Sequence, residues 1–285
     1  MTFHPLVSII MNCHNSDKYL KEAIDSVYNQ SYTSWEIIFW NNKSTDNSKN
    51  IALSYDNKIQ YFESESFLNL GDARNKACKK ARGKYIAFLD CDDYWLHDKL
   101  EKQVKLFEDS KDMLGLVYGR TIYYSEFKKK QVKRHQPTLD GHLFDKLMNN
   151  NFISFASAII LKEKYFEIGG FPTHLKHSTD FWIFLKLAKK YPFKAIKVDC
   201  CVHRLHENNL TKKYYITGVQ EGIEVLRTFP PSRKIDIAIK RMLGRICFRY
   251  IIQGKLIQFM ILLIKKKLLF VMLQMILEKF LKSAI

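Results

Sequence analysis

This 285-residue chain lacks several signatures, and each absence argues against a class of chemistry. No Gly-x-Gly-x-x-Gly follows the opening strand pattern and no Gly-x-x-x-x-Gly-Lys-Ser/Thr occurs. A dinucleotide-binding Rossmann domain and a P-loop nucleotidase are therefore disfavoured. There is no His-Glu-x-x-His and no Cys-x-x-Cys pair, so zinc has no ligands at the usual spacing. The six cysteines (Cys13, Cys78, Cys91, Cys200, Cys201 and Cys247) read as reduced cytosolic thiols rather than a disulfide framework. Long apolar runs are also missing. The best windows, Leu256 to Ile264 and Leu268 to Leu277, are split by Lys265-Lys266-Lys267, short of the ~18 uncharged apolar residues a spanning helix needs. No signal-peptide pattern is visible, because Met1 to Pro5 leads directly into a strand. Acidic residues are few: 29 against 46 lysines and arginines, a net charge of +17. Such an excess points to an anionic partner, whether nucleotide, phospholipid surface or nucleic acid.

What is present is an alternation of short apolar strands and amphipathic helices. Val7 to Met11, Glu36 to Trp40, Ile59 to Phe62 and Tyr85 to Leu89 read as strands. Helices are predicted over Lys18 to Asn29, through Ile51 to Tyr55 and over Asp72 to Ala81, the last stopped by Arg82-Gly83. A β-α-β-α-β-α-β run implies a parallel sheet with helical crossovers. The polar segments Cys13 to Asn15, Asn41 to Asp46 and Asp90 to Asp93 all follow strands, so they share the carboxyl edge of that sheet, where ligands bind in open α/β folds. Asp90-Cys91-Asp92-Asp93 ends a buried strand, and Asp-x-Asp in a turn can face one hard cation. As an isolated motif it reads equally well as a solvated acidic turn.

Further along, Leu116 to Tyr118 and Thr121 to Tyr124 read as a hairpin, Gly141 to Asn149 as a helix and Ala156 to Leu161 as a strand. Thr179 to Lys190 is a strongly amphipathic helix with Asp180 in its first turn, where the helix dipole favours a carboxylate. Ala195 to Val198 and Cys201 to Arg204 are extended, and Leu210 to Phe229 is helical up to Pro230-Pro231. The fold class expected is α/β, a mostly parallel central sheet flanked by helices, with a helical C-terminal extension. The domain division expected is 1–209, itself split into halves 1–98 and 99–209, followed by 210–285.

Four segments in order carry a family resemblance: Val7-Ser8-Ile9-Ile10 to Asn15; Glu36-Ile37-Ile38 to Asp46; Asn69-Leu70-Gly71-Asp72-Ala73-Arg74-Asn75; and Gly83 to Asp93. Together they resemble family 2 glycosyltransferases, inverting enzymes of the A-type nucleotide-sugar fold. Thr179-Asp180-Phe181-Trp182 is similar to the family's second acidic motif, and Arg204-Leu205-His206 to the segment that closes its donor site. The resemblance implies transfer of a sugar from a nucleoside diphosphate sugar, UDP first, with dTDP or GDP as alternatives. The acceptor is expected to be a hydroxyl of a glycan or lipid-linked glycan in surface polysaccharide or lipopolysaccharide synthesis. It implies that Cys13, Asn15 and Asn42 line the base and ribose, that Arg74 meets the base or a phosphate, and that Asp90 lies near the ribose with Cys91 beside it. Asp92 would bind Mg²⁺ or Mn²⁺, and His206 would complete the metal shell or contact the diphosphate. Asp180 would be the general base, and Trp182 part of the acceptor wall. Asp46 reads equally as a helix cap. The chain departs from the family in having Asn12-Cys13-His14-Asn15 for Pro-Thr-Tyr/His-Asn, Asn41-Asn42-Lys43-Ser44 for Asp-Asp-Gly-Ser, and Thr179 where glutamate is common. A catalytically inactive sugar-nucleotide-binding or scaffold protein of the same fold is the alternative.

From Arg233 to Ile285, twelve cations face two acids among Ile, Leu, Phe and Met. That composition suits a segment lying on an anionic membrane surface, placing the protein on the cytoplasmic face of the cell membrane. The competing reading is a helical cap on the catalytic domain or a homo-oligomer interface. Few aromatics and no nucleic-acid motif argue against nucleic-acid binding.

Overall fold

The computed structural model describes residues 6–132, 136–207 and 209–265. Met1 to Pro5, the end of the basic Lys128 to Arg134 stretch, and the last twenty residues of the basic tail lie outside the described residues. In chain order the elements are β1 (Val7–Cys13), α1 (Asp17–Tyr28), β2 (Trp35–Asn41), α2 (Ser48–Leu53), β3 (Ile59–Glu63), α3 (Leu70–Cys78), β4 (Tyr85–Phe88), β5 (Tyr94–Trp95) and α4 (Lys99–Glu108). There follow β6 (Leu116–Ser125), β7 (Lys130–Val132), α5 (Phe144–Asn149), a short 3₁₀ turn, β8 (Ala158–Leu161), α6 (Lys162–Glu167), α7 (Thr179–Lys190), β9 (Phe193–Leu205), α8 (Leu210–Lys213), α9 (Tyr215–Arg227), α10 (Arg233–Ile252) and α11 (Leu256–Lys265).

The strands form one sheet in the order β3-β2-β1-β4-β8-β6-β9-β5, with β7 paired to β6. β1 pairs in parallel with β2 from Val7↔Trp35 to Cys13↔Asn41, and with β4 from Val7↔Tyr85 to Ile10↔Phe88. The carboxyl ends of β1, β2 and β4 therefore lie side by side, as the alternating pattern predicts. β8 runs against both β4 and β6, while β6 and β9 are parallel to each other. β1, β2 and β4 are buried almost throughout, which is why their sequences are continuous apolar runs rather than alternating ones.

A buried network sets where β4 begins. Glu36 is fully buried and accepts hydrogen bonds from Ser8 Oγ (2.7 Å), Arg82 N (2.8 Å) and Arg82 Nε (2.8 Å). Ser8 Oγ in turn accepts from Gly83 N at 2.8 Å. Gly83 has no alternative here, since a Cβ would come within 2.7 Å of Ser8 N. A buried carboxylate held this way is costly to disrupt, because removing one partner leaves a charge unanswered.

Three sequence expectations are corrected. Leu116 to Tyr124 is not a hairpin but one strand, β6, with a register irregularity around Gly119 and Arg120. Gly119 allows Cys200 Sγ and Ile196 Cγ1 to sit 2.6 and 2.8 Å from where its Cβ would be, so the glycine marks a bulge and a close approach rather than a turn. The true hairpin joins β6 to β7 through Lys129, which has a positive φ of 47°. Likewise Ala195 to Arg204 is the single strand β9, and the helix expected over Leu210 to Phe229 is divided at Tyr214 into α8 and α9. β5 has only two residues and no periodicity to announce it.

The described residues fall into two compact units, one within Met1–Phe144 and Phe152–Glu207, the other within Asp145–Asn151 and Asn208–Ile285. In the second unit, α10 is capped by Ser232, whose Oγ accepts from Ile235 N at 3.3 Å. α10 packs against α9 and holds the Asp145–Asn151 segment: Lys234 pairs with Asp145, Arg241 Nη1 donates to Asn149 Oδ1 (2.8 Å), and Arg245 Nη2 donates to Asn149 O (2.8 Å). Among the described residues no helix is long and apolar enough to cross a membrane.

Lys99, at the start of α4, is an unusual core residue. It is fully buried, donates to Gln103 Oε1 at 2.7 Å, and lies 4.0 Å from the centroid of the Trp95 ring. Burial pushes its pKa down from 10.5 to about 8. The unfolded chain therefore binds more protons than the folded one between those values, and native stability rises with pH across that window. Measured by denaturant unfolding, wild type should gain on Lys99→Met by about 3 kcal/mol between pH 8 and 10.5, at roughly 1.4 kcal/mol per pKa unit. A gap that does not change with pH would show that Lys99 is not desolvated.

Candidate active site

Loops at the carboxyl ends of β1, β2 and β4 are laced together by their own polar side chains. Asn15, with φ of 49°, accepts from Thr45 N through Oδ1 (2.8 Å), and its backbone N donates to Ser44 Oγ (3.1 Å). Asn42 uses both ends of its amide on Leu68, donating to its O (2.9 Å) and accepting from its N (3.0 Å). Asp46 accepts from Asp17 N and Ser48 N at 2.9 and 3.1 Å, bracing the starts of α1 and α2. These residues shape the edge of the sheet by fixing its loops, a role the sequence disclosed for Asp46, read there as a helix cap, but not for Asn15 and Asn42. Beneath them Cys13 and Cys91 are buried with their thiols in hydrogen-bond contact. The bond from Cys91 brings the Cys13 thiol down to about 7 despite its burial, and two nearby serine hydroxyls assist.

The Asp90-Cys91-Asp92-Asp93 turn is sorted by the structure into distinct environments. Asp90 and Asp92 keep 45% and 32% of their side-chain surface, whereas Asp93 is buried. Asp93 Oδ2 meets His203 Nδ1 at 2.9 Å, and its Oδ1 accepts from Arg204 N at 3.0 Å. Burial raises the Asp93 carboxyl to about 6 against the pull of His203. Asp93 thus anchors the end of β9 to the turn.

Asp92 Oδ2 lies 2.9 Å from His206 Nε2. Burial opposes ionisation of Asp92, but the His206 hydrogen bond and the charges of His203 and His206 prevail, holding its carboxyl below the ordinary range. Arg204 locks this corner. Its Nε donates to Asp92 O (3.0 Å), Nη1 to Glu126 (3.0 Å) and Nη2 to Glu22 (2.7 Å), while its guanidinium covers the Tyr19 ring at 4.5 Å. Among the described residues no group of three His, Cys, Asp or Glu side chains is poised around one point. Asp92 and His206 would be two protein ligands to a divalent cation, with the remaining positions left to phosphate oxygens and water.

Arg74 joins the two halves of the site. It is 6% exposed, pairs with Asp90 Oδ1 at 2.7 Å, and donates to Thr179 Oγ1 at 3.4 Å, with Phe155 and Phe171 flanking its guanidinium. Asp180 follows at the first turn of α7, its Oδ1 accepting from Phe181 N at 2.7 Å. Protein packed around the Asp180 carboxyl raises its pKa by desolvation, with the Phe181 N–H and the Arg74 charge opposing. Trp182, on the same helix, donates from Nε1 to Gly170 O (3.1 Å), with Lys186 Nζ over its ring at 4.4 Å.

Asn75 and Asn69 are positioning residues whose partners sequence reading missed. Asn75 Oδ1 accepts from Tyr165 OH (2.6 Å) and Phe171 N (2.9 Å), and its Nδ2 donates to Phe171 O (2.8 Å). Asn69 Nδ2 donates to Thr173 O at 3.1 Å. Gly71 permits this contact, since a Cβ there would meet Pro172 O at 2.6 Å. The Asn69–Asn75 motif therefore ties α3 to the loop that precedes α7. Its presence in the sequence was a signal; the partners about a hundred residues away were not.

The fold agrees with comparisons to known proteins. The family model described as Glycosyl transferase family 2 matches residues 8–171. An uncharacterized glycosyltransferase, RT0329 of Rickettsia typhi, is 33% identical over 217 residues, covering 73% of this chain and 67% of that protein. The Escherichia coli UDP-Glc:alpha-D-GlcNAc-diphosphoundecaprenol beta-1,3-glucosyltransferase WfgD is 28% identical over 213 residues, covering 74% of this chain and 81% of that one. Staphylococcus aureus TarS residues 1–349, solved in complex with UDP-GlcNAc, superimposes with a TM-score of 0.65 at 18% identity, covering 84% of this chain and 72% of that structure, a likeness of fold. With more than half of its length matched by the family and its sheet of the same fold, the chain belongs to glycosyl transferase family 2 and is a glycosyltransferase.

Proposed function

We propose that this glycosyltransferase inverts configuration as it moves a sugar from a UDP-sugar to a hydroxyl of a lipid-linked glycan in cell-surface polysaccharide synthesis. The observation that carries the reading is the Arg74 bridge, which holds Asp90, on the donor side, against Thr179, the neighbour of Asp180. A donor-side acid and a desolvated carboxylate are thereby kept in one site, as an in-line displacement requires. The donor and acceptor classes rest on similarity to WfgD, whose name specifies UDP-Glc and a diphosphoundecaprenol acceptor, and to TarS, whose structure holds UDP-GlcNAc.

In this reading Asp90 accepts from the ribose and Arg74 fixes its carboxylate. Asp92 and His206 hold Mg²⁺ or Mn²⁺, which when bound offsets the charge that builds on the departing diphosphate. Asp180 accepts the acceptor hydroxyl proton. The acceptor oxygen forms its bond to the anomeric carbon as the bond from that carbon to the β-phosphate oxygen breaks, and UDP leaves with the electron pair. A pKa raised by burial brings the base nearer to working pH, where general-base catalysis is most effective. The Trp182 ring offers an apolar wall for the acceptor sugar.

Two experiments test these assignments. Asp180→Asn should lower kcat by about 10²–10⁴-fold and leave UDP binding unchanged by calorimetry. In the wild type, the acid limb of the kcat/KM profile should lie above the ordinary aspartate value of 3.8, since the base must be ionised and its pKa is raised. Normal turnover in the variant, or a limb at or below 3.8, would remove Asp180 as the base. Asp92→Ala should abolish the divalent-dependent part of UDP binding, so that added chelator no longer changes the titration heat. If chelator still weakens UDP binding in Asp92→Ala as it does in wild type, the cation is held elsewhere.

A further inference from the structure

The last described helix of the second unit, α11, is apolar on more than one face. Phe259, Leu262 and Leu263 of α11 pack on Leu243 and Cys247 of α10. Leu256, Ile257, Met260 and Ile261 point away and are 61%, 74%, 48% and 49% exposed. Ile252, at the end of α10, adds a further side chain at 61% exposure. The spacing of Leu256, Ile257, Met260 and Ile261 places them on one side of the helix, and Gly254, with φ of 68°, turns the chain so that the end of α10 precedes them directly. Scattered exposed leucines need no explanation, but a contiguous group of this size on one helix does.

The charge of this segment selects its occupant. Residues 233–265 carry eight cations (Arg233, Lys234, Lys240, Arg241, Arg245, Arg249, Lys255 and Lys265) and one acid, Asp236; Lys234, Arg241 and Arg245 are engaged by Asp145 and Asn149, while Lys240 and Lys255 are exposed. A second copy meeting the face about a two-fold axis would bring two such basic surfaces together, which like-charge repulsion disfavours. An anionic bilayer answers both features, taking up apolar side chains at the acyl boundary and attracting the cations to its headgroups. The ten described residues of α11 make about 15 Å of helix, and among the described residues no helix is long and apolar enough to cross a membrane.

We infer that the Ile252–Ile261 face is a docking surface for an anionic phospholipid membrane, with Lys255 at its head and α10 serving as the packed support beneath rather than as the inserted helix. The inference goes beyond the sugar-transfer reading and stands on the surface alone.

The test uses the full chain with vesicles of phosphatidylcholine, with and without phosphatidylglycerol, in a flotation assay. Wild type should float with the phosphatidylglycerol vesicles and release as salt is raised. Ile257→Glu/Ile261→Glu should weaken that binding by at least about tenfold, as expected when two inserted apolar side chains become charged. The variant should keep the wild-type melting temperature and sugar-nucleotide hydrolysis, so that loss of flotation is not loss of fold. Binding of the variant equal to wild type would overturn the inference, as would failure of wild type to float. So would a dimer of the wild type, seen by sedimentation without lipid, that the two substitutions dissociate.

Discussion

The arrangement of the site depends first on one of its two buried arginines. Arg74 brings a permanent positive charge to a place with almost no solvent, where it must be paired and hydrogen-bonded to be tolerated. Asp90 supplies the charge, Thr179 a hydroxyl, and Phe155 and Phe171 the flat apolar surroundings that suit a guanidinium. Those partners come from β4's exit, from α7 and from the segments before it. Satisfying one side chain therefore draws together parts of the chain separated by up to 105 residues. Asn75 and Asn69 reinforce the same junction through backbone groups of Phe171 and Thr173.

A second clasp acts at the other side of the acidic turn. Asp93 is removed from solvent and engaged by His203 and by the backbone of Arg204, which leaves Asp90 and Asp92 as the carboxylates that reach the surface. Arg204 is itself held by Glu22 and Glu126. The turn is thus fixed from below by a buried acid engaged by His203 and from the side by a guanidinium. This is preorganisation in the ordinary sense: the ordering cost is met on folding, not on binding.

The C-terminal unit follows a different logic. Its cations near Asn149 and Asp145 make internal contacts, so part of the basic character that dominates the composition supports the unit's own packing. The apolar residues of α11 divide between an inner face on α10 and an outer face at the surface. Composition alone cannot separate those uses, since Leu262 and Ile261 are equivalent as letters and opposite in environment.

By itself the sequence determined the parallel β-α-β succession and the alignment of three polar loops on one sheet edge. Those features depend on local periodicity and on strands too apolar to end anywhere but outside the sheet. It also determined, through an ordered set of short motifs, the family, and it marked Asp180 and the acidic turn as candidate site groups. Tertiary structure alone decided how the polar side chains are used. Asn15 and Asn42 brace loops, Asp93 is buried against a histidine 110 residues away, and Asn75 fixes the approach to α7. It decided too that Gly119 marks a bulge in a continuous strand, because the residues that approach it arrive from β9. The division has a physical reason. Backbone periodicity is set by neighbours in the chain, whereas hydrogen-bond partnership and burial are set by neighbours in space, and here those lie mostly dozens of residues or more apart.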